Sequence, residues 1–154
     1  MKRKTLVMIH IAATIIAAIT IGTFFLSSVV AEIDGNETFI REVKERILFT
    51  LPVLLMAMPA IGITGNKLAG NSQSPQVKTK QRRMKFVFVN GLTLIILASF
   101  LYYHSHYKTI DTVFMVAQLV ELVLGLTNLV LISLNIKSGL QLSGRIRRIK
   151  RLNA

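Results

Sequence analysis

The sequence predicts an all-α integral membrane protein, a four-transmembrane-helix bundle with both termini on the cytoplasmic side. Three observations carry that prediction. Four long runs are almost free of charge, the basic residues gather on alternate sides of those runs, and 52% of the chain is hydrophobic despite a formal net charge of +12.

Residues 5–31, 47–66 and 86–107 hold no charged side chain with histidine counted neutral, and 112–136 hold only Glu121. Each run reaches the roughly 20 residues needed to cross a hydrocarbon core about 30 Å thick. Backbone N–H and C=O groups cannot face lipid unpaired, so the runs must be helices. The whole of residues 1–154 is then one transmembrane domain.

The first run follows Met1-Lys2-Arg3-Lys4 and ends at Val29-Val30-Ala31, which resembles a signal peptide with its cleavage site. Its apolar stretch far exceeds the usual length of about 7–15 residues, so it is read as a spanning helix. Before the second run, Glu37/Arg41, Arg41/Glu45 and Glu42/Arg46 are spaced as helical i,i+4 pairs. Phe39, Ile40, Val43 and Ile47 form an apolar stripe between them. The second helix is therefore expected to begin near Thr38, outside the bilayer, and run inward unbroken. Asp34-Gly35 marks the turn ahead of it.

Charge sets the orientation. Lys2, Arg3 and Lys4 precede the first run. Lys67, Lys78, Lys80, Arg82, Arg83 and Lys85 separate the second from the third, and Lys137, Arg145, Arg147, Arg148, Lys150 and Arg151 follow the fourth. Only Arg41, Lys44, Arg46 and Lys108 lie on the other side, with six of the seven acids. The positive-inside rule places the basic side in the cytoplasm. In the tail, Leu142, Ile146, Ile149 and Leu152 recur at helical spacing among arginines, a pattern suited to anionic lipids at the cytoplasmic face.

The same charges would suit nucleic acid on a soluble domain, but here a bilayer explains them, and no nucleic-acid partner is expected. The absence of cysteine removes thiolate metal sites, disulfides and thiol nucleophiles.

The fourth run carries the candidate site. Gln118, Glu121, Gly125, Asn128 and Asn135 fall on one helical face, amid Leu, Val and Ile. A carboxylate near mid-bilayer costs roughly 2.5–3.5 kcal/mol on insertion scales. Without a partner, it would take up a proton to shed its charge. Counting residues inward from the run ends sets Glu121 level with Gly22 and Thr23, Met56, and Ala98 and Ser99, none of them cationic. Its expected partners are hydroxyls, Gln118, and carbonyls freed by Pro52 and Pro59. Gly125 is expected to admit a neighbouring backbone. Nearer the cytoplasm, His10, Asn90, Asn135 and Asn66 form a second polar level, either as hydrogen-bonding glue or as a pocket in which His10 titrates or ligates.

Haem b held by two histidines of one chain is disfavoured. His10 and the pair His104/His106 lie near opposite ends of the bundle, about 25–30 Å apart by helix rise. A site on His10 alone, or shared across a dimer, is the weaker alternative, and no metal or cofactor is expected in the leading reading.

Gln118-x-x-Glu121-Leu122-x-x-Gly125-x-x-Asn128-Leu129, Leu134-Asn135, Gly139-Leu140 and Ser143-Gly144-Arg145, with Lys80-x-Arg82-Arg83-Met84 and Asn90-Gly91, resemble an uncharacterised family of small four-helix bacterial membrane proteins with no assigned activity. The resemblance implies a bacterial inner membrane and no substrate. Small multidrug-resistance transporters also have four helices and one intramembrane glutamate. They carry it in the first helix and have little charge bias, so their antiparallel mechanism is disfavoured here, while a parallel homodimer or a larger membrane complex stays open.

Two functional expectations follow. The first is a non-enzymatic accessory, assembly or regulatory partner, whose polar stripe packs tightly around Glu121. The second is a redox or ligand-binding subunit for quinone, haem b or a proton-coupled small solute, using Glu121 and His10 beside a polar cavity. A lone carboxylate without a partnered base, nucleophile or metal set gives an enzyme little support, and no catalytic residue is assigned.

Overall fold

The computed structural model describes residues 2–142, residue 142 by its backbone alone. The amphipathic tail expected beyond that point lies outside the described residues. Four helices follow one another: α1 (Arg3–Asp34), α2 (Glu37–Ala69), α3 (Pro75–Tyr107) and α4 (Thr112–Leu142). The chain is a membrane protein whose four helices are all long and apolar enough to span a bilayer.

Chain breakers separate the helices where the sequence supplies them. Gly35 adopts φ 68°, a left-handed conformation that a Cβ disfavours, and its N–H closes α1 on the Ala31 carbonyl at 3.1 Å. Asn36 then caps α2, its side-chain oxygen accepting from the N–H groups of Thr38 at 2.9 Å and Phe39 at 3.3 Å. Pro75 opens α3 at a position where the missing N–H costs nothing. Asp111 precedes α4 and accepts from the Phe114 N–H at 3.0 Å.

Short connections make neighbours antiparallel. α1 packs on α2, α2 on α3, α3 on α4 and α4 back on α1, closing a ring in which the two diagonals have no close backbone approach among the described residues. The α1–α4 seam is the loosest. One end of the ring carries Glu32, Asp34, Glu37, Glu42, Glu45 and Asp111, and is called the acidic end below. The other carries residues 2–4 and the basic connection between α2 and α3.

α2 spans 33 residues, about 50 Å at 1.5 Å per residue, so it runs well past the hydrocarbon core. It continues unbroken through Pro52 and Pro59, both of which face outward. Its inner face presents Ile40, Val43, Lys44, Ile47, Leu51, Leu54 and Met58, and the core is completed by Ala17 and Ile21 of α1, Ala98 and Leu101 of α3, and Phe114 and Ile132 of α4. Large apolar side chains such as Ile19, Met56, Ile96 and Leu119 point outward, as lipid contact requires. Outward hydroxyls of Thr93, Ser99, Thr127 and Ser133 bond the carbonyl four residues back, which lets them face hydrocarbon.

Candidate functional site

Glu121 meets a cation. The Lys44 ammonium donates to Glu121 Oε2 at 2.6 Å and to the Ser28 hydroxyl at 3.1 Å. This corrects the expectation that Glu121 leans on hydroxyls, Gln118 and proline-freed carbonyls. The Gln118 amide is buried with neither polar atom partnered, and the prolines face away. α2 and α4 occupy opposite corners of the ring, so the pair spans the interior of the bundle.

The missed partner has a physical reason. Ending the second run at Ile47 treats every charge as a boundary and leaves Lys44 outside the membrane. Yet Lys44 lies four residues after Ile40 and three before Ile47, both buried. It belongs to the inward stripe. Counted from the helix starts, Lys44 is seven residues into α2 and Glu121 nine into α4, a depth difference of about 3 Å that a lysine stem covers. Both side chains are nearly sealed, at 2% exposure for Lys44 and 9% for Glu121. Taking one charge away from such a pair costs about 3–5 kcal/mol, because the other is left buried alone.

Ser28 and Glu32 are one turn apart on α1, so they share a face. The Glu32 Oε1 is buried without a hydrogen-bond partner.

Beside the pair lies a cavity of about 50 Å³, walled mainly by Ile21, Phe24, Leu54, Ile95 and Ala98, with Ser28, Glu121 and Asn128 at its edges. Asn128 is fully buried and neither of its amide atoms has a partner. Gly125 borders this cavity, and an added Cβ would meet only the Phe25 ring, at 3.6 Å. The expected backbone approach at Gly125 is thus replaced by an aromatic ring. A separate groove of about 530 Å³ runs between α1 and α2 on the lipid-facing surface, edged by Thr20, Thr23, Ser27, Arg46 and Thr50. It holds none of the candidate residues.

The second polar level does not assemble. His10 Nδ1 lies 3.0 Å from the Thr64 hydroxyl, which itself donates to the Ala60 carbonyl, so the histidine is the donor. Gly65 makes room there first for the Met84 methyl group and then for the imidazole. Asn90 donates to the Leu124 carbonyl at 2.9 Å, Asn135 keeps a buried unpartnered carbonyl oxygen, and Asn66 is exposed. Each therefore acts separately. His10 is 18 residues along α1 from Ser28, about 27 Å by helix rise, so it and Glu121 do not share one site.

Sequence reasoning also left the acidic end without detail. His104 is buried and its Nε2 pairs with Asp111 Oδ1 at 2.9 Å, tying α3 to the start of α4. The Phe114 N–H, followed by His104, holds the Asp111 carboxyl below the usual carboxylate range. His106 turns to the Tyr102 carbonyl and stands 4.0 Å from Glu45 of α2. Among the described residues no three His, Cys, Asp or Glu side chains are grouped to hold a metal ion.

No family model matches the chain, and no curated protein or solved structure is significantly similar to it.

Proposed function

We propose that this chain is a non-enzymatic accessory of other membrane components, an assembly or regulatory partner built around a closed helical bundle. The observation that supports this reading most is the Lys44–Glu121 pair, which fills the centre of the ring with its own charges neutralised. A carboxylate already held by an ammonium is poorly placed to be a base or a ligand for a guest. The adjoining cavity of about 50 Å³ is well below the roughly 300–1,000 Å³ of pockets that hold drug-sized ligands and cofactors.

In the same reading the chain sits in a bacterial inner membrane with the basic end in the cytoplasm. Exposed Lys67, Lys78, Arg82 and Lys85 at that end would attract anionic lipid headgroups. Its partner is a second copy in parallel orientation or another membrane protein.

The test is an absorbance spectrum and mass analysis of protein purified in mild detergent. The expected result is a colourless chain carrying phospholipid. A Soret band from haem b, or stoichiometric quinone, would overturn the accessory reading in favour of a redox subunit. Orientation is tested separately by labelling Ser74→Cys in a chain that has no native cysteine. Protection from an impermeant maleimide added outside is expected, and labelling from outside would reverse the orientation.

A further inference from the structure

Lys44 shows what an inward-facing charge requires in this bundle, since its ammonium meets Glu121 from the opposite corner. α3 carries an inward stripe of its own toward the basic end. Lys80, Met84, Val87 and Gly91 follow one another at helical spacing, and none of them is exposed. Met84 and Gly91 meet Gly65 and Met58 of α2. Lys80 therefore stands at the basic mouth of the ring as Lys44 stands toward the acidic one, but with no carboxylate to meet. The sequence has no Asp or Glu before Glu32, between Glu45 and Asp111, or after Glu121.

Lys80 and Arg83 differ from the other cations of that end. Among the described residues, they are the basic side chains there that are not exposed. They are also the two that reach α4. Arg83 donates to the Ser138 hydroxyl at 3.4 Å, and that hydroxyl sends its own proton to the Leu134 carbonyl. The Lys80 ammonium lies over the next residue, Gly139, 3.4 Å from where a Cβ would stand. Two like charges one turn apart on α3 thus converge on consecutive residues of α4. The Lys80 ammonium has no hydrogen bond or ion pair among the described residues, and Arg83 keeps most of its N–H donors free.

We propose that Lys80 and Arg83, laid across Ser138 and Gly139 of α4, form a seat for the phosphate of one anionic phospholipid.

Depth selects a lipid over a free ion. The charge-free run of α3 begins at Phe86, so Arg83 stands about 4.5 Å and Lys80 about 9 Å short of it by helix rise. The polar headgroup layer is roughly 5–8 Å thick on each side of the hydrocarbon core. The two cations therefore bracket headgroup level. A guanidinium matches two phosphate oxygens with its fork, and the ammonium adds a point charge beside a third. An anionic headgroup also brings the negative charge that this end of the chain lacks, which a zwitterionic one does not. The inference deepens the lipid attraction proposed above, and rests on it only for the basic end lying at a membrane surface.

Native mass spectrometry of the full chain in mild detergent tests the seat, with equal phosphatidylglycerol and phosphatidylcholine added. About 0.2 M ammonium acetate screens the exposed charges. The wild type is expected to retain one phosphatidylglycerol in preference to phosphatidylcholine. Lys80→Gln/Arg83→Gln should retain it about tenfold less. Arg3→Gln/Lys4→Gln removes the same charge from exposed positions at that end, and should stay within about twofold of the wild type. Gly139→Leu keeps every charge but fills the space under the Lys80 ammonium, and should also lose the lipid. Circular dichroism checks folding, and if one seat variant fails to fold the other decides. Unchanged retention in a folded seat variant, or an equal loss in Arg3→Gln/Lys4→Gln, would overturn the seat and leave the general attraction of the basic end in place. A wild type with no preference for phosphatidylglycerol would overturn both. Millimolar inorganic phosphate should leave the lipid bound, and displacement would assign the seat to free phosphate and overturn the lipid.

Discussion

Lys44 Nζ reaches Glu121 Oε2 at 2.6 Å from the opposite corner of the bundle, although the backbones of α2 and α4 do not approach closely. Each helix packs on two neighbours through ordinary apolar contacts. The diagonal is bridged by a lysine stem and a glutamate. The pair therefore fixes the rotation of α2 and α4 about their axes, which apolar contacts alone specify weakly.

Ser28 holds the same ammonium from α1. Replacing it with alanine removes one hydrogen bond to a buried charge, for which about 1.5–3 kcal/mol is expected. Thermal unfolding of Ser28→Ala in detergent, read by circular dichroism, checks this. An unchanged midpoint would mean that Ser28 is a bystander.

Gly91 faces Met58 of α2 so closely that an added Cβ would overlap the Met58 methyl group. Gly91→Ala is expected to cost about 1–2 kcal/mol through overpacking. Because the obstacle is the far end of a flexible side chain, Met58→Leu should recover most of the loss in the double variant.

Asn36 caps α2 with two hydrogen bonds in a two-residue connection. Asn36→Ala should cost about 1 kcal/mol, within the usual range for a lost N-cap, and Asn36→Ser should cost little. Hydrogen exchange of the first turn of α2 would locate the effect.

Asp111 gives a pH dependence with a definite sign. Its carboxyl is held below the usual range by the Phe114 N–H and by His104, so the ionised form is favoured in the folded chain. The stabilisation is present above the ordinary carboxylate value and is lost as pH falls through the depressed folded value. The difference in melting temperature between wild type and Asp111→Ala should narrow as the pH falls into the acid range. A difference independent of pH would remove the carboxylate from the account.

The four-helix fold was legible because charge is so costly in lipid that its absence over 20 or more residues reports a span directly. The polar face of α4 was legible for the same reason, and Gln118, Glu121 and Asn128 do face inward. Lys44 was hidden by the converse of that logic. A charge reads as the end of a span, whereas the helix extends past Lys44 and the inward stripe of Ile40, Val43, Ile47 and Leu51 contains it. That stripe was the available signal. Depth counting also misled at the basic half, where His10 and Asn90 sit at comparable levels but bond Thr64 and the Leu124 carbonyl. Depth sets the level of a residue, while helix rotation selects its partner. Packing volumes decide that rotation, and at Gly125 the decisive volume was the Phe25 ring.

The most direct test of the central pair is a double-mutant cycle on Lys44→Met and Glu121→Leu, measured by reversible unfolding in mixed detergent. Each single variant leaves a buried charge and should lose about 3–5 kcal/mol, while the double variant, with both charges gone, should return close to the wild type. Losses that add to within about 0.5 kcal/mol would show that Lys44 and Glu121 act independently, and would contradict the account.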